Sequence, residues 1–214
     1  MQPPRSLVCV ICGARPATTK EHVPPRGLLK GICGQFRTVP SCNICNNGSS
    51  QDDETLRNYI SAQIGKQTDG AKSLWEKGAL KSLKRSNKLR SDLLRTMQEI
   101  EITNEDSTRT IRLGFIVPVS LYQRVFERIT RGLYFFHTGQ ILPPDRPVKV
   151  NLLKNAPNCS LTEQQLFEKH SISDGAFEYS FILDPEHPCN GVWLFAIHSA
   201  QWVQSSTGIL ACEI

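Results

Sequence analysis

The hydrophobic positions divide the chain into a turn-rich beginning, a helical middle and a mixed second half. Residues 1–55 carry little apolar periodicity and are interrupted by prolines and glycines. Such a segment cannot build an ordinary core and needs a staple such as a bound metal. Residues 53–60 and 71–86 show apolar positions at helical spacing, and residues 89–97 continue in the same way.

The second half predicts both helices and strands. Apolar side chains recur at every third or fourth position over residues 119–136, which predicts a long amphipathic helix. Shorter alternating or apolar stretches predict strands over residues 99–103, 110–117, 147–153, 179–183 and 192–198. Ser160 and Glu163 predict a capped helix over residues 161–169.

Together these patterns predict an α+β fold with three parts. A small module occupies residues 1–60, and a basic helical segment follows over residues 61–98. Residues 99–214 form an α+β portion, and nothing in their sequence indicates a role.

The paired cysteines are the clearest chemical pattern. Cys9/Cys12 and Cys42/Cys45 form two Cys-x-x-Cys pairs with 29 residues between them. Two intervening residues let both sulfurs face one ion at about 2.3 Å, and without a secretory signal this spacing favours metal over disulfides. Gly13 supplies the tight turn that follows such a knuckle. We therefore predict one tetrahedral zinc with four thiolate ligands, a structural site because no ligand position stays open.

The remaining cysteines and the later histidines lack such spacing. Four cysteines stand singly and are interpreted as thiols that have no specific role, namely Cys33, Cys159, Cys189 and Cys212. Four histidines show no mutual spacing that indicates a site and are interpreted as structural, namely His137, His170, His187 and His198.

The N-terminus and the charge bear on location and partners. Residues 1–5 lead into the first cysteine pair without the apolar stretch of a signal peptide, and no apolar run approaches the roughly 18 residues of a membrane span. We therefore expect a soluble, cytoplasmic protein.

The formal charge is +5, and residues 66–95 hold nine lysines and arginines against three acids. This stretch is either a solvated helix face or a surface that contacts nucleic acid, with Lys81, Lys84 and Arg85 as the candidate contacts.

A second motif lies between and after the cysteine pairs. Glu21-His22 is followed by Pro24 and Pro25, and Asn46 directly follows the last paired cysteine. A CxxC, a Glu-His dipeptide followed by proline, and a second CxxC leading into Asn at a helix start resemble the HNH, or ββα-metal, endonucleases, in particular their zinc-stapled branch. The resemblance covers roughly residues 8–60 and implies a treble-clef or ββα-metal zinc module.

The resemblance implies a role for each residue of the motif. His22 would be the general base that takes a proton from the attacking water, a role that suits a neutral imidazole. Glu21 and Asn46 would hold one divalent cation, Mg²⁺ or Mn²⁺, through oxygen atoms. Asn46 has the alternative role of a helix N-cap. Asp52 or Asp53 would position the cation's ligands, or both are charges that favour the start of a helix.

One position departs from the family pattern. The family carries an Asn before the second CxxC that orients the histidine, whereas this chain has Gln35 there. Gln35 offers the same amide on a longer side chain, and nearby Arg37 could reach a phosphate.

The implied function is hydrolysis of nucleic-acid phosphodiester bonds, with double-stranded DNA as the expected substrate. A protein of this kind and size resembles nucleases of prokaryotic or phage defence. Residues 99–214 would select the target, mediate homodimerisation or bind a regulatory partner. Two alternatives stay open: a zinc-stapled module that binds nucleic acid or protein without catalysis, and a nuclease that acts on RNA.

Overall fold

The structure is a computed structural model of the chain. It describes residues 7–29, 36–62, 69–103, 107–157, 165–172, 175–199 and 201–208. Several positions singled out in the sequence lie outside this part of the chain. They are Cys33, Gln35, Cys159, Cys212 and residues 161–164, where the capped helix was expected to begin.

The N-terminal module is a β-hairpin followed by two helices. Strands β1 (Thr19–Val23) and β2 (Arg37–Ser41) pair antiparallel. Helix α1 (Asn43–Asn47) begins directly after β2, and helix α2 (Ser50–Ser61) follows it. The helix expected over residues 53–60 is therefore confirmed, and it starts three residues earlier than the apolar pattern indicates.

The middle segment is helical, as its periodicity predicts. Helix α3 (Asp69–Leu74) continues through a π-helical turn (Trp75–Ala79) into helix α4 (Leu80–Arg85). Helix α5 (Asn87–Arg95) follows. The helix predicted over residues 89–97 ends earlier, because its last residues begin the next strand.

The second half contains a hairpin, a long helix and a sheet. Strands β3 (Met97–Thr103) and β4 (Arg109–Phe115) pair antiparallel, and helix α6 (Val119–Thr138) follows them. The predicted helix over residues 119–136 is thus confirmed. No helix among the described residues combines the length and apolar character needed to cross a membrane.

A five-stranded antiparallel sheet completes the fold, in the order β5-β9-β8-β7-β6. Its strands are β5 (Val148–Leu153), β6 (Glu168–Ile172), β7 (Phe177–Leu183), β8 (Gly191–Ile197) and β9 (Gln201–Thr207).

Strand β6 corrects the end of the helix expected over residues 161–169, of which residues 165 and 166 are helical. Glu168 and Lys169 belong to β6, where they pair with Phe181 and Ser180 of β7. The cap signal is local, whereas this pairing satisfies the backbone groups of β6 through a strand that comes later in the chain. The predicted strands at 99–103, 110–117, 147–153, 179–183 and 192–198 are all present, with shifts at their ends.

Helix α6 joins the N-terminal hairpin to the sheet. Its apolar stripe, which includes Phe126 and Leu133, packs into one buried cluster with Val23 of β1 and Phe195 of β8. Gly132 allows the close contact with β1, because a Cβ atom there would lie 2.6 Å from Cγ2 of Val23. The position of the hairpin is therefore fixed by the second half of the chain.

Candidate functional site

The two cysteine pairs form one cluster, as their spacing predicts. The ligand atoms of Cys9, Cys12, Cys42 and Cys45 all lie within 4.8 Å of one another. Gly13 has a φ of 64°, the left-handed conformation that the knuckle requires and that glycine adopts most easily. Four nearby thiols are a donor set suited to a metal such as zinc, so this group could hold a structural ion.

The surroundings of the cluster favour thiolate at one cysteine in particular. Burial raises the pKa of Cys42, but hydrogen bonds from the Cys45 amide and the Arg15 guanidinium outweigh burial and lower that pKa to about 6. The Cys45 amide lies 3.4 Å from Cys42 Sγ, and Arg15 Nη1 lies 3.8 Å from it. Cys42 is also the N-cap of α1, so the cluster fixes the start of this helix.

The β1 strand presents different chemistry on its two faces. Glu21 and Val23 are buried and face the interior, whereas Lys20 and His22 lie on the more exposed face. Side chains alternate across a strand, so Glu21 and His22 point in opposite directions. The dipeptide predicted to act as one unit is therefore divided between two environments.

His22 is half-buried and lies beside aromatic and basic neighbours. Its ring meets Phe36 edge to face at a centroid separation of 6.2 Å, and Arg26 lies over the same Phe36 ring at 5.6 Å. Burial and the charge of Arg26 both lower the pKa of His22. The imidazole is consequently neutral and able to accept a proton at neutral pH.

Arg26 was not singled out by sequence reasoning, although it directly follows the Pro24-Pro25 pair. Its side chain is exposed, and it also lines a cleft of about 650 Å³ between α2 and α5. Among the described residues, His22 and Asn46 do not line this cleft. Arg26 both lines the cleft and lies near His22, so it connects the cleft to the Glu21-His22 motif.

Asn46 is tied to the hairpin by its side-chain nitrogen. Nδ2 donates a hydrogen bond of 3.0 Å to the Lys20 carbonyl. With the nitrogen as the donor, the amide oxygen is the atom of this side chain that could bind a cation. Asn46 lies inside α1, and Cys42 caps that helix, so the N-cap interpretation of Asn46 is wrong.

Glu21 lies in a buried group of charges. Arg128 of α6 contacts two acids, Glu21 and Asp53. Its Nε lies 3.7 Å from Glu21 Oε1, and its Nη2 contacts Asp53 Oδ1. Burial raises the pKa of Glu21 to about 7, and the charge of Asp53 acts in the same direction. Burial also raises the pKa of Asp53. Oε2 of Glu21 is buried and has no hydrogen-bond partner among the residues that the structure describes, but Glu21 lies on the face of the strand opposite to His22.

Asp52 and Asp53 lie in the first turn of α2, as the charge pattern indicates. Asp52 makes a two-pronged ion pair with Arg124 of α6, with N–O distances of 2.7 and 2.9 Å. These hydrogen bonds lower the pKa of Asp52. Both acids therefore hold α2 against α6 through arginines one helical turn apart.

The predicted nucleic-acid contacts differ in placement. Lys81, Lys84 and Arg85 are exposed on α4, where Arg85 also pairs with Glu54 at 3.2 Å. Arg37 lies on β2 with its guanidinium 4.2 Å above the Phe136 ring, and its buried Nε atom has no hydrogen-bond partner in the described part of the chain. This packing against α6 does not favour Arg37 as a phosphate contact.

The structure brings together two histidines that the sequence left apart. His137 near the end of α6 and His170 on β6 have ring centroids 4.7 Å apart, and Glu168 lies beside both. Local spacing could not indicate this group, because α6 and β6 meet only through tertiary packing.

Comparisons of the chain with protein-family models, with curated proteins and with solved structures find no match.

Proposed function

We propose that the chain is an HNH-type endonuclease that hydrolyses phosphodiester bonds in nucleic acid, with His22 as its general base. The observation that carries this proposal is the arrangement of the hairpin and α1. A cysteine cluster joins the start of α1 to the knuckle before β1, and Asn46 of α1 is hydrogen-bonded to β1 two residues before His22. We interpret this hairpin and helix as a zinc-stapled ββα-metal, or treble-clef, module.

His22 has the properties that a base requires. It lies on the exposed face of β1, and its lowered pKa keeps the imidazole neutral. Phe36 restricts the ring, and Arg26 places a positive charge nearby that suits a phosphate. His22 therefore accepts the proton of the attacking water, while Arg26 attracts the substrate backbone.

Asn46 is the residue best placed to hold a divalent cation near His22. Its nitrogen is occupied by the strand, so its oxygen is the ligand atom, and Mg²⁺ and Mn²⁺ prefer oxygen. Such a cation would stabilise the charge that develops on the phosphate and the leaving oxygen. Glu21 stays a predicted ligand through Oε2, and this role requires its carboxylate to move away from Arg128 and towards the other face.

The exposed lysines and the arginine of α4 would extend the contact to nucleic acid beyond the module. Lys81 and Lys84 are exposed and make no ion pair with the described residues, whereas Arg85 shares its charge with Glu54. Double-stranded DNA is the expected substrate.

The buried pairing of Glu21 with Arg128 favours a second candidate function, a binding module without catalysis. In this case Glu21 is a structural residue that fixes β1 on α6. The module would then bind nucleic acid through Arg26 and the α4 surface without cutting it.

Cleavage assays on DNA and RNA separate these functions. Supercoiled plasmid and a structured RNA are incubated side by side with the protein, with Mg²⁺, with Mn²⁺ and without added divalent cation. A chelator is omitted, because it could remove the structural metal. Cation-dependent nicking of plasmid supports the proposed nuclease, cutting of RNA alone assigns the RNA alternative, and binding of both without cutting supports the binding module.

Asn46→Ala tests the cation site, with Asn43→Ala on the same helix as the control. Asn43 is exposed, and its side-chain oxygen accepts a hydrogen bond from Asn47 of the same helix. We expect Asn46→Ala to slow cleavage and to need more Mg²⁺ for half-maximal rate, while Asn43→Ala cleaves like the wild type. Equal cation requirements in the two variants would remove Asn46 from the proposed site.

A further inference from the structure

A second group of metal-ligand side chains lies far along the chain from the cysteine cluster. His137 occupies the last turn of α6, and Glu168 and His170 lie two residues apart on β6, the edge strand of the sheet. Residues two apart on a strand share one face, so both side chains of β6 can reach the same ion. This face of β6 is the one that meets the end of α6.

The distances within this group are close to those of a metal site. Glu168 Oε1 lies 2.7 Å from His170 Nε2 and 3.8 Å from His137 Nδ1, and the ligand atoms all lie within 4.8 Å of one another. Ligands bound at about 2.1 Å in a tetrahedron lie roughly 3.4 Å apart. The Glu168 side chain is 59% exposed and can move to reach this spacing without disturbing the core.

The His137 ring is held in place for such a role. Its Nε2 lies 2.9 Å from the hydroxyl of buried Tyr179, which leaves Nδ1 facing Glu168. Its ring packs against Phe181 with centroids 4.5 Å apart. Histidine ligands in proteins use their second nitrogen in this way, with a hydrogen bond that fixes the tautomer and the direction of the ring.

We propose that His137, Glu168 and His170 form a second divalent-metal site, whose residues belong neither to the cysteine cluster nor to the motif around His22. Two imidazole nitrogens and one carboxylate select first-row transition ions such as Zn²⁺, Co²⁺ or Ni²⁺ over Mg²⁺, which prefers oxygen. Three protein ligands leave at least one coordination position for water or for an anionic ligand. Tyr179 is a positioning residue that acts through His137.

Cobalt titration of the zinc-loaded full chain tests this site. The protein is first brought to one zinc per chain, so that the cysteines are occupied, and Co²⁺ is then added while heat and visible absorption are recorded. We expect one further equivalent, with the absorption bands of cobalt bound by nitrogen and oxygen and without the sulfur-to-cobalt charge-transfer band. If the zinc-loaded protein binds no equivalent of Co²⁺ beyond the metal held by the cysteines, the proposal is overturned.

Variants identify the ligands of that further equivalent. Glu168→Gln and His170→Gln should abolish Co²⁺ binding or weaken it at least about 10-fold, and Tyr179→Phe should weaken it about 10–100-fold. His187→Gln is the control, because His187 has a backbone contact to Asp184 and lies outside this group. Zinc content and circular dichroism confirm that each variant is folded. Undiminished Co²⁺ binding in both Glu168→Gln and His170→Gln places the ion elsewhere and overturns the proposal.

Discussion

Replacement of Arg128 by methionine should destabilise the fold strongly, because Arg128 is the buried cation between two acids. Its side chain is 6% exposed, and those of Glu21 and Asp53 are 4% and 8% exposed. Removing one partner of a buried ion pair costs about 3–5 kcal/mol, since a charge is left without compensation. Because the whole fold of such a domain is stable by only about 5–15 kcal/mol, this loss is large.

Arg124→Met is a matched control on the same helix. Arg124 lies one turn before Arg128 and pairs with Asp52, the neighbour of Asp53, but its side chain is 54% exposed. An exposed pair of this kind contributes about 0.2–1 kcal/mol. Urea unfolding of both variants at the same zinc content measures the difference in the free energy of unfolding.

The pH dependence of the Arg128→Met cost has a definite sign. Burial raises the folded-state pKa of Glu21 to about 7, above its ordinary value of 4.5. A carboxyl group whose pKa is higher in the folded than in the unfolded state contributes its full stability at pH values below the unfolded-state pKa. This contribution is lost as the pH rises through the folded-state pKa. Without Arg128 the pKa of Glu21 rises further. Arg128→Met should therefore lower the free energy of unfolding by more at about pH 8 than at about pH 6. Glu21→Gln in the Arg128→Met background should recover part of the loss. Equal costs for Arg124→Met and Arg128→Met would refute the buried-charge reasoning.

Two further predictions concern the metal cluster and the basic surface. We predict one zinc per chain in the wild type, and Cys42→Ser should lack it and unfold the N-terminal module, because zinc binding would contribute directly to folding. Cys189→Ser, outside the cluster, should contain zinc like the wild type, and elemental analysis of both variants measures the difference. Neutralising the exposed cations of α4 should weaken DNA binding and reduce its salt slope by roughly one unit per lost phosphate contact, as measured by fluorescence anisotropy at several salt concentrations. The residues changed to Gln are Lys81, Lys84 and Arg85. Exposed Lys149→Gln on β5 is the control, and an unchanged slope in the triple variant would make the α4 surface a solvated face only.

The features that the sequence predicts well are those with a local repeat. The spacing of Cys9/Cys12 and Cys42/Cys45 predicts one cluster, because the two sulfurs of each pair can face the same ion. The four ligand atoms lie together in the structure, which confirms this prediction. The apolar period over residues 119–136 predicts α6 for a similar reason. The spacing within each pair and the helical period both depend on neighbours only a few residues away, whereas the two pairs meet across the β1–β2 hairpin.

The features that the sequence does not predict depend on distant partners. Glu21 and His22 are adjacent in the motif, but side chains alternate along a β-strand, so the two lie on opposite faces of β1. Glu21 pairs there with Arg128 of α6, a partner that is distant in sequence. Strand β6 replaces the end of the expected helix because β7 pairs with it. The group of His137, Glu168 and His170 exists only because α6 packs against that edge strand.

The cleavage rate of His22→Ala tests the central claim most directly. His187→Ala serves as the control, since His187 lies far from the hairpin in sequence and belongs to neither metal-ligand group. Both variants and the wild type are matched for zinc content, thermal stability and DNA affinity, and plasmid nicking is measured with Mg²⁺ or Mn²⁺. We predict that His22→Ala cleaves about 10²–10⁴-fold more slowly, the typical contribution of a positioned general base, while His187→Ala cleaves at the wild-type rate. Cleavage by His22→Ala at the wild-type rate would contradict the account.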